Sequence, residues 1–119
     1  MIPVVGTLIV NEIKWLKRQI NSVDFPVENY IIINNSAGEL NDELDQLVTK
    51  KHKHIKNLKV YHMPYNIGCA GGWNMIMKSF MHSPYWVIIN HDCSFGSGFL
   101  KEMYDAAQDE ETGLVFGNG

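Results

Sequence analysis

The sequence predicts an α/β fold: a three-layer α/β/α sandwich around a mainly parallel sheet. Two observations carry this. Short β-branched apolar runs alternate with segments whose apolar residues recur at three- and four-residue steps, and the alternation is repeated four times. The strand-like runs are also too uniformly apolar to face water on either side, as strands covered by helices on both faces must be.

The first run, Val4 to Val10, is broken only by Gly6 and Thr7 and reads as a buried strand. After Asn11, Ile13, Leu16, Ile20 and Val23 mark one face of a helix, which Pro26 closes. Tyr30 to Ile33 is a second buried strand. Leu40, Leu44, Leu47 and Val48 mark a second helix, with Asp42, Glu43, Asp45 and Gln46 on its outer face. The run Lys50-Lys51-His52-Lys53-His54 reads as that helix's solvated end, since cations suit a helix C-terminus.

Leu58 to Met63 is a third strand, closed by Pro64. Trp73, Ile76, Met77, Phe80 and Met81 mark a third helix, stopped by Pro84, and Trp73 and Trp86 read as core residues. Tyr85 to Ile89 is the fourth strand. Ser97 is placed to cap a fourth helix carrying Phe99, Leu100, Met103, Tyr104 and Ala107, and Leu114-Val115-Phe116 begins a fifth strand. Right-handed crossovers then place helices on both faces of the sheet.

The 119 residues read as one domain spanning 1–119. The ending Gly117-Asn118-Gly119 has no closing element, so a C-terminal truncation is expected. A formal net charge of −3 does not suit a phosphate backbone, so no nucleic-acid partner is expected. No apolar run approaches the roughly 20 residues that span a bilayer. Met1-Ile2-Pro3-Val4-Val5 lacks the start of a signal peptide, and Cys69 and Cys93 fit no zinc spacing; a cytoplasmic protein with reduced thiols is expected.

In open parallel sheets, ligands bind beyond the carboxyl ends of the strands. Here those ends carry Asn11, Asn34-Asn35, Tyr65-Asn66 and Asn90-His91-Asp92, so polar groups gather along one edge. Between the third strand and its helix lies Asn66-Ile67-Gly68-Cys69-Ala70-Gly71-Gly72-Trp73-Asn74. Such glycines let backbone amides approach a diphosphate at a helix start; they also serve simply to turn the chain and seat the helix. Asp92 is the metal candidate, because a carboxylate facing a diphosphate suits Mg²⁺ or Mn²⁺. The alternative makes Asp92 a turn residue beside Ser94.

Together these pieces resemble the family two glycosyltransferases, with their Rossmann-like GT-A sheet. Leu8-Ile9-Val10-Asn11 is similar to the family's opening strand, and Asn34-Asn35-Ser36 stands where Asp-Asp-Gly-Ser is usual. Asn66, Gly68, Ala70 and Asn74 match Asn-x-Gly-x-Ala-x-x-x-Asn, and Asn90-His91-Asp92 keeps the last acid of Asp-x-Asp. The resemblance implies that Val10 and Asn11 line the nucleoside pocket and that Asn34 or Asn35 binds the base. It places Asn66, Gly68, Gly71, Asn74, Asn90 and His91 around the rest of the donor, with Asp92 at a Mn²⁺ or Mg²⁺ ion.

The implied reaction is metal-assisted hexosyl transfer from a UDP- or GDP-linked sugar to a glycan, lipid or protein acceptor. The alternative is a catalytically incomplete nucleotide-sugar-binding module. Inverting transfer needs a carboxylate base for the acceptor hydroxyl. Asp105, Asp109, Glu110 and Glu111 lie on or after a helix expected to point away, so none is assigned that role.

Overall fold

A computed structural model describes residues 1–108 in full and residues 114–117 by their backbone. Asp109, Glu110, Glu111 and the terminal Asn118-Gly119 lie outside the described residues. The elements alternate without exception: β1 (Ile2–Ile9), α1 (Lys14–Asn21), β2 (Val27–Asn34), α2 (Asn41–Thr49), β3 (Ile55–His62), α3 (Gly68–Ser79), β4 (Trp86–Asn90), α4 (Phe99–Ala107) and β5 (Leu114–Gly117). The sheet has the order β3-β2-β1-β4-β5, with every neighbouring pair parallel.

Each face of the sheet carries its own core. On one face, Leu16 and Ile20 of α1, Leu44 and Leu47 of α2, and Leu100 and Met103 of α4 pack against Val5, Ile9, Ile32 and Ile89. On the other, α3 alone covers the sheet, its Ile76 packing on Val4, Leu8, Ile31, Ile33 and Ile88. The split follows from topology. From β1 to β3 the sheet grows in one direction, and from β3 the chain must cross back over β2 and β1 to reach β4. A crossover of constant hand running the other way puts its helix on the other face. α4 departs from this rule: β4 to β5 runs in the same direction as β3 to β4, yet α4 lies on the α1 face, where Tyr104 meets Phe25 at 5.2 Å between ring centroids.

Several boundaries differ from the sequence reading, each for a local reason. β2 begins at Val27, ahead of the polar pair Glu28-Asn29, because Asn29 is satisfied inside the sheet. Its Nδ2 donates to the Pro3 carbonyl at 3.2 Å, and its Oδ1 accepts from Asn57 Nδ2 at 3.2 Å. α4 is capped by Gly98, whose φ of 76° gives the left-handed turn into the helix, and Ser97 makes no capping hydrogen bond. The basic run is not a helix end: α2 stops at Thr49, Lys50 is extended, and residues 52–55 turn directly into β3. α3 ends at Ser79, which leaves Met81 beyond it and 65% exposed.

The glycine-rich stretch is the start of α3 itself, not a turn before it. Gly68 has a φ of 78°, and its N–H donates to Asn66 Oδ1 at 2.8 Å, so the asparagine folds the chain into the helix. Gly72 serves packing. A β-carbon there would lie 2.5 Å from Leu8 Cδ2, and one on Gly6 of β1 would lie 2.5 Å from Ile76 Cδ1. Each element gives up a side chain where the other inserts one, so α3 sits unusually close to β1.

Gly72→Ala tests this seat. Alanine improves helix propensity by about 1 kcal/mol, but crowding a packed core costs about 1–3 kcal/mol, and three atoms of Leu8 stand in the way. We predict net destabilisation of roughly 1 kcal/mol, read as a lower urea midpoint at unchanged m value.

Candidate active-site cleft

Reversal of the sheet's growth direction leaves a crevice beyond the carboxyl ends of β1 and β4, bordered by the start of α3. A cleft of about 220 Å³ opens there. Leu8 and Val10 from β1 and its extension, Ile89, Asn90 and His91 from β4, and Asn35 from the end of β2 line its floor and one side. Asn66, Gly68, Cys69 and Trp73 close it from the start of α3. Three asparagines from three loops therefore share one concavity.

Asn35 is the most informative of them. Its residue is 2% exposed, and its backbone N–H continues the sheet by donating to Ile9 O at 2.9 Å. Its side-chain Nδ2 points to the Gly68 carbonyl at 3.4 Å, which fixes the amide orientation, since the reverse would set two oxygens against each other. Oδ1 is then buried without a hydrogen-bond partner. An unpaired buried acceptor costs about 1–3 kcal/mol, a deficit that a ligand N–H entering the cleft would remove.

Asn34 stands next to it and does something different. It is fully buried, and its Nδ2 donates to Asn41 Oδ1 and to His62 Nδ1, each at 3.0 Å, while its Oδ1 accepts from the Ser36 N–H at 3.1 Å. Because Asn34 offers His62 a donor, His62 Nδ1 must accept, and the proton sits on Nε2, which donates to Asp45 Oδ1 at 2.7 Å. Asn34 thus ties the end of β2 to α2 and β3 and does not line the cleft. Asn11 is likewise occupied by turn geometry. It sits at φ 58°, a region asparagine tolerates, and its N–H donates to Ser36 Oγ at 2.7 Å.

Of the other sequence candidates, Val10, Asn66, Gly68, Asn90 and His91 line the cleft, whereas Gly71 and Asn74 do not. Gly71 packs over Ile67, and Asn74 is exposed on α3. Asp92 is exposed, one residue beyond His91, and its Oδ1 accepts from the Cys93 thiol at 3.7 Å. Burial above all, then the nearby Asp92 charge and its hydrogen bond to the thiol, raise the Cys93 thiol above its usual pKa. Among the described residues no group of three or more His, Cys, Asp or Glu is placed to hold a metal by itself.

Sequence reasoning missed four lining residues: Leu8, Ile89, Cys69 and Trp73. The first two are strand-core positions whose upper ends reach the crevice. Trp73 packs against the α3-side core as expected and also borders the cleft. Trp86 packs on the same core, with its indole N–H donating to Phe80 O at 3.1 Å. Trp15 is partly exposed, with the Lys14 ammonium 4.9 Å above its ring.

A parallel sheet with an asparagine-bearing crevice at its switch point is the arrangement in which open α/β sheets bind their ligands. The chain belongs to glycosyl transferase family 2, whose family model matches residues 5–119. It is accordingly a glycosyltransferase domain. No curated protein and no solved structure matches the chain. Among the described residues, no helix is long and apolar enough to cross a membrane.

Asn34→Ala should behave as a structural lesion. It strands the Ser36 N–H, the Asn41 amide oxygen and His62 Nδ1, so unfolding free energy should fall by about 1–3 kcal/mol in urea titrations.

Proposed function

We propose that residues 1–119 form a donor-binding domain that holds a nucleoside diphosphate sugar, UDP- or GDP-linked, and supports hexosyl transfer to a glycan, lipid or protein acceptor. The observation that carries this reading is Asn35, which lines the cleft and whose buried Oδ1 has no hydrogen-bond partner in the protein. Uracil and guanine each present a ring N–H beside a carbonyl, which suits an asparagine oxygen and its neighbouring amide. The cleft, at about 220 Å³, is below the roughly 300–1,000 Å³ of pockets that enclose drug-sized ligands. It suits a base and ribose, with the diphosphate and sugar extending past His91 toward Asp92.

The donor set fits a divalent cation only in partnership with the substrate. Asp92 is an exposed carboxylate that makes no ion pair among the described residues, and His91 adjoins it. These two would hold Mn²⁺ or Mg²⁺, with diphosphate oxygens and water completing the shell. Such an ion supplies stabilisation of the negative charge that develops on the leaving diphosphate. Apart from the Gly68 N–H, which Asn66 holds, the amides of the first turn of α3 add partial positive charge at that end of the helix. We place the domain in the cytoplasm, where Cys69, a free and exposed thiol bordering the cleft, would stay reduced.

One observation favours the second reading, a module that binds donor without turning it over. Among the described residues no carboxylate lines the cleft, and Asp105 is on α4, where it accepts from Lys101 Nζ at 2.9 Å. Calorimetric titration with UDP and GDP, with and without Mn²⁺, beside a donor-hydrolysis assay, separates the two. Binding with turnover supports the transferase; binding alone supports the module; no nucleotide binding by the folded chain removes both.

Two variants sharpen the test. Asn35→Ala should weaken uridine binding about tenfold, the loss of one buried hydrogen bond to the base. Asp92→Asn should leave uridine binding intact and remove the increment that Mn²⁺ adds to nucleoside diphosphate affinity. An unchanged increment would show that Asp92 does not hold the ion.

A further inference from the structure

We infer that Gln19 of α1, a residue that does not line the cleft, is the positioning residue for the segment that presents His91 and Asp92. This rests on the donor reading given above. Gln19 is fully buried in the apolar cluster between α1 and the sheet. A glutamine there is costly unless its amide is satisfied. Its Nε2 donates to the Asn90 carbonyl at 2.7 Å and to the Cys93 carbonyl at 3.0 Å, and its Oε1 accepts from the Tyr30 hydroxyl.

The pattern of partners is specific. Neither carbonyl belongs to α1 or its own loops; both belong to the four-residue turn after β4, and they bracket His91 and Asp92. The Cys93 N–H closes the same turn on Asn90 O at 3.2 Å. Holding both ends of so short a turn limits where the two side chains between them can project. Tyr30, from the middle of β2, sets the polarity: its hydroxyl takes the Gln19 oxygen and so turns the amide nitrogen toward the two carbonyls.

The grip continues along the chain. Ser22 Oγ donates to Gln19 O at 2.6 Å and accepts from the Phe95 N–H at 2.8 Å, and Asp24 Oδ2 accepts from the Gly98 N–H at 3.1 Å. The end of α1 is therefore a template on which the chain from Asn90 to Gly98 is laid. Groups that orient a metal-bearing side chain from behind it typically change metal affinity by about 10- to 100-fold when removed.

The experiment compares Gln19→Met, which keeps the length but loses both donors, with Leu47→Ala, a truncation on α2 in the same core that touches none of these hydrogen bonds. Tyr30→Phe serves as a milder lesion should Gln19→Met fail to fold. Amide hydrogen exchange over residues 90–95 reads the turn. Uridine affinity reads the base end, and UDP affinity with and without Mn²⁺ reads the ion end. In Gln19→Met, exchange at Cys93 and Phe95 should speed up at least about tenfold relative to Leu47→Ala. The Mn²⁺-dependent gain in UDP affinity should drop at least about tenfold, and uridine affinity should hold within about twofold. Tyr30→Phe should give smaller changes of the same sign.

Unchanged exchange in Gln19→Met, or faster exchange with the Mn²⁺ gain intact, overturns the assignment. Equal losses in Leu47→Ala overturn it as well, since any destabilised variant would then do the same. If the folded wild-type chain binds neither UDP nor GDP, the donor reading fails first; if it binds them with no Mn²⁺ gain, the ion role of His91 and Asp92 fails and this inference falls with it.

Discussion

To pass from β3 to β4 the chain must travel over two strands that are already in place, and only α3 spans that distance. Everything at the carboxyl edge of the sheet depends on how closely this helix lies against β1. Side chains normally hold a helix off a sheet, but here Gly6 and Gly72 remove the obstruction on both sides, and Leu8 and Ile76 fill the vacated space. Because the helix is pressed down, its first turn lands beside the ends of β1, β2 and β4, and Gly68 comes within reach of Asn35. The glycines that look like a phosphate loop in the sequence thus have two separate duties. Gly72 sets the depth of the helix, and Gly68 sets the angle at which it begins.

Adjacent asparagines at the end of β2 show how one residue type divides between architecture and recognition. Asn34 has its oxygen and both amide hydrogens engaged within the protein, so it has little left to offer a ligand. Asn35 spends its nitrogen on a long bond to a backbone carbonyl and keeps a buried oxygen unmatched. Folding tolerates such a deficit at few positions. Its presence inside the crevice, next to the residues on which a donor would lie, is what separates a recognition group from a turn residue.

Much of the fold was legible in the sequence because burial on both faces of a parallel sheet writes itself as unbroken apolar runs. Tyr30-Ile31-Ile32-Ile33 and Tyr85 to Ile89 are such runs, and both are strands. The polar beginnings of strands were not legible, since Asn29 is acceptable in β2 only through partners on β1 and β3 that no local pattern reveals. In the cleft, Asn35, Asn66, Gly68, Asn90 and His91 were legible from their place after strands. Asn34 and Asn11 obey the same rule and do not line the cleft, because side-chain direction and the sign of φ are invisible at that level. Gln19 left no trace at all. It lies in a helix of polar residues, and only the path of the chain 70 residues later makes it matter.

The positive charges between Lys50 and Lys59 gain a different meaning once β3 is seen as the border of the sheet. Among the described residues no strand pairs with its outer rim of peptide groups, and an open rim of this kind invites a second molecule to extend the sheet. Lys56 and Lys59 are exposed on that border strand, and Lys50, Lys51 and Lys53 precede it, with no acidic residue among positions 50–59. A second copy approaching edge to edge would bring the same cations with it. The two rims therefore repel each other, which protects an exposed border from self-association without any covering element.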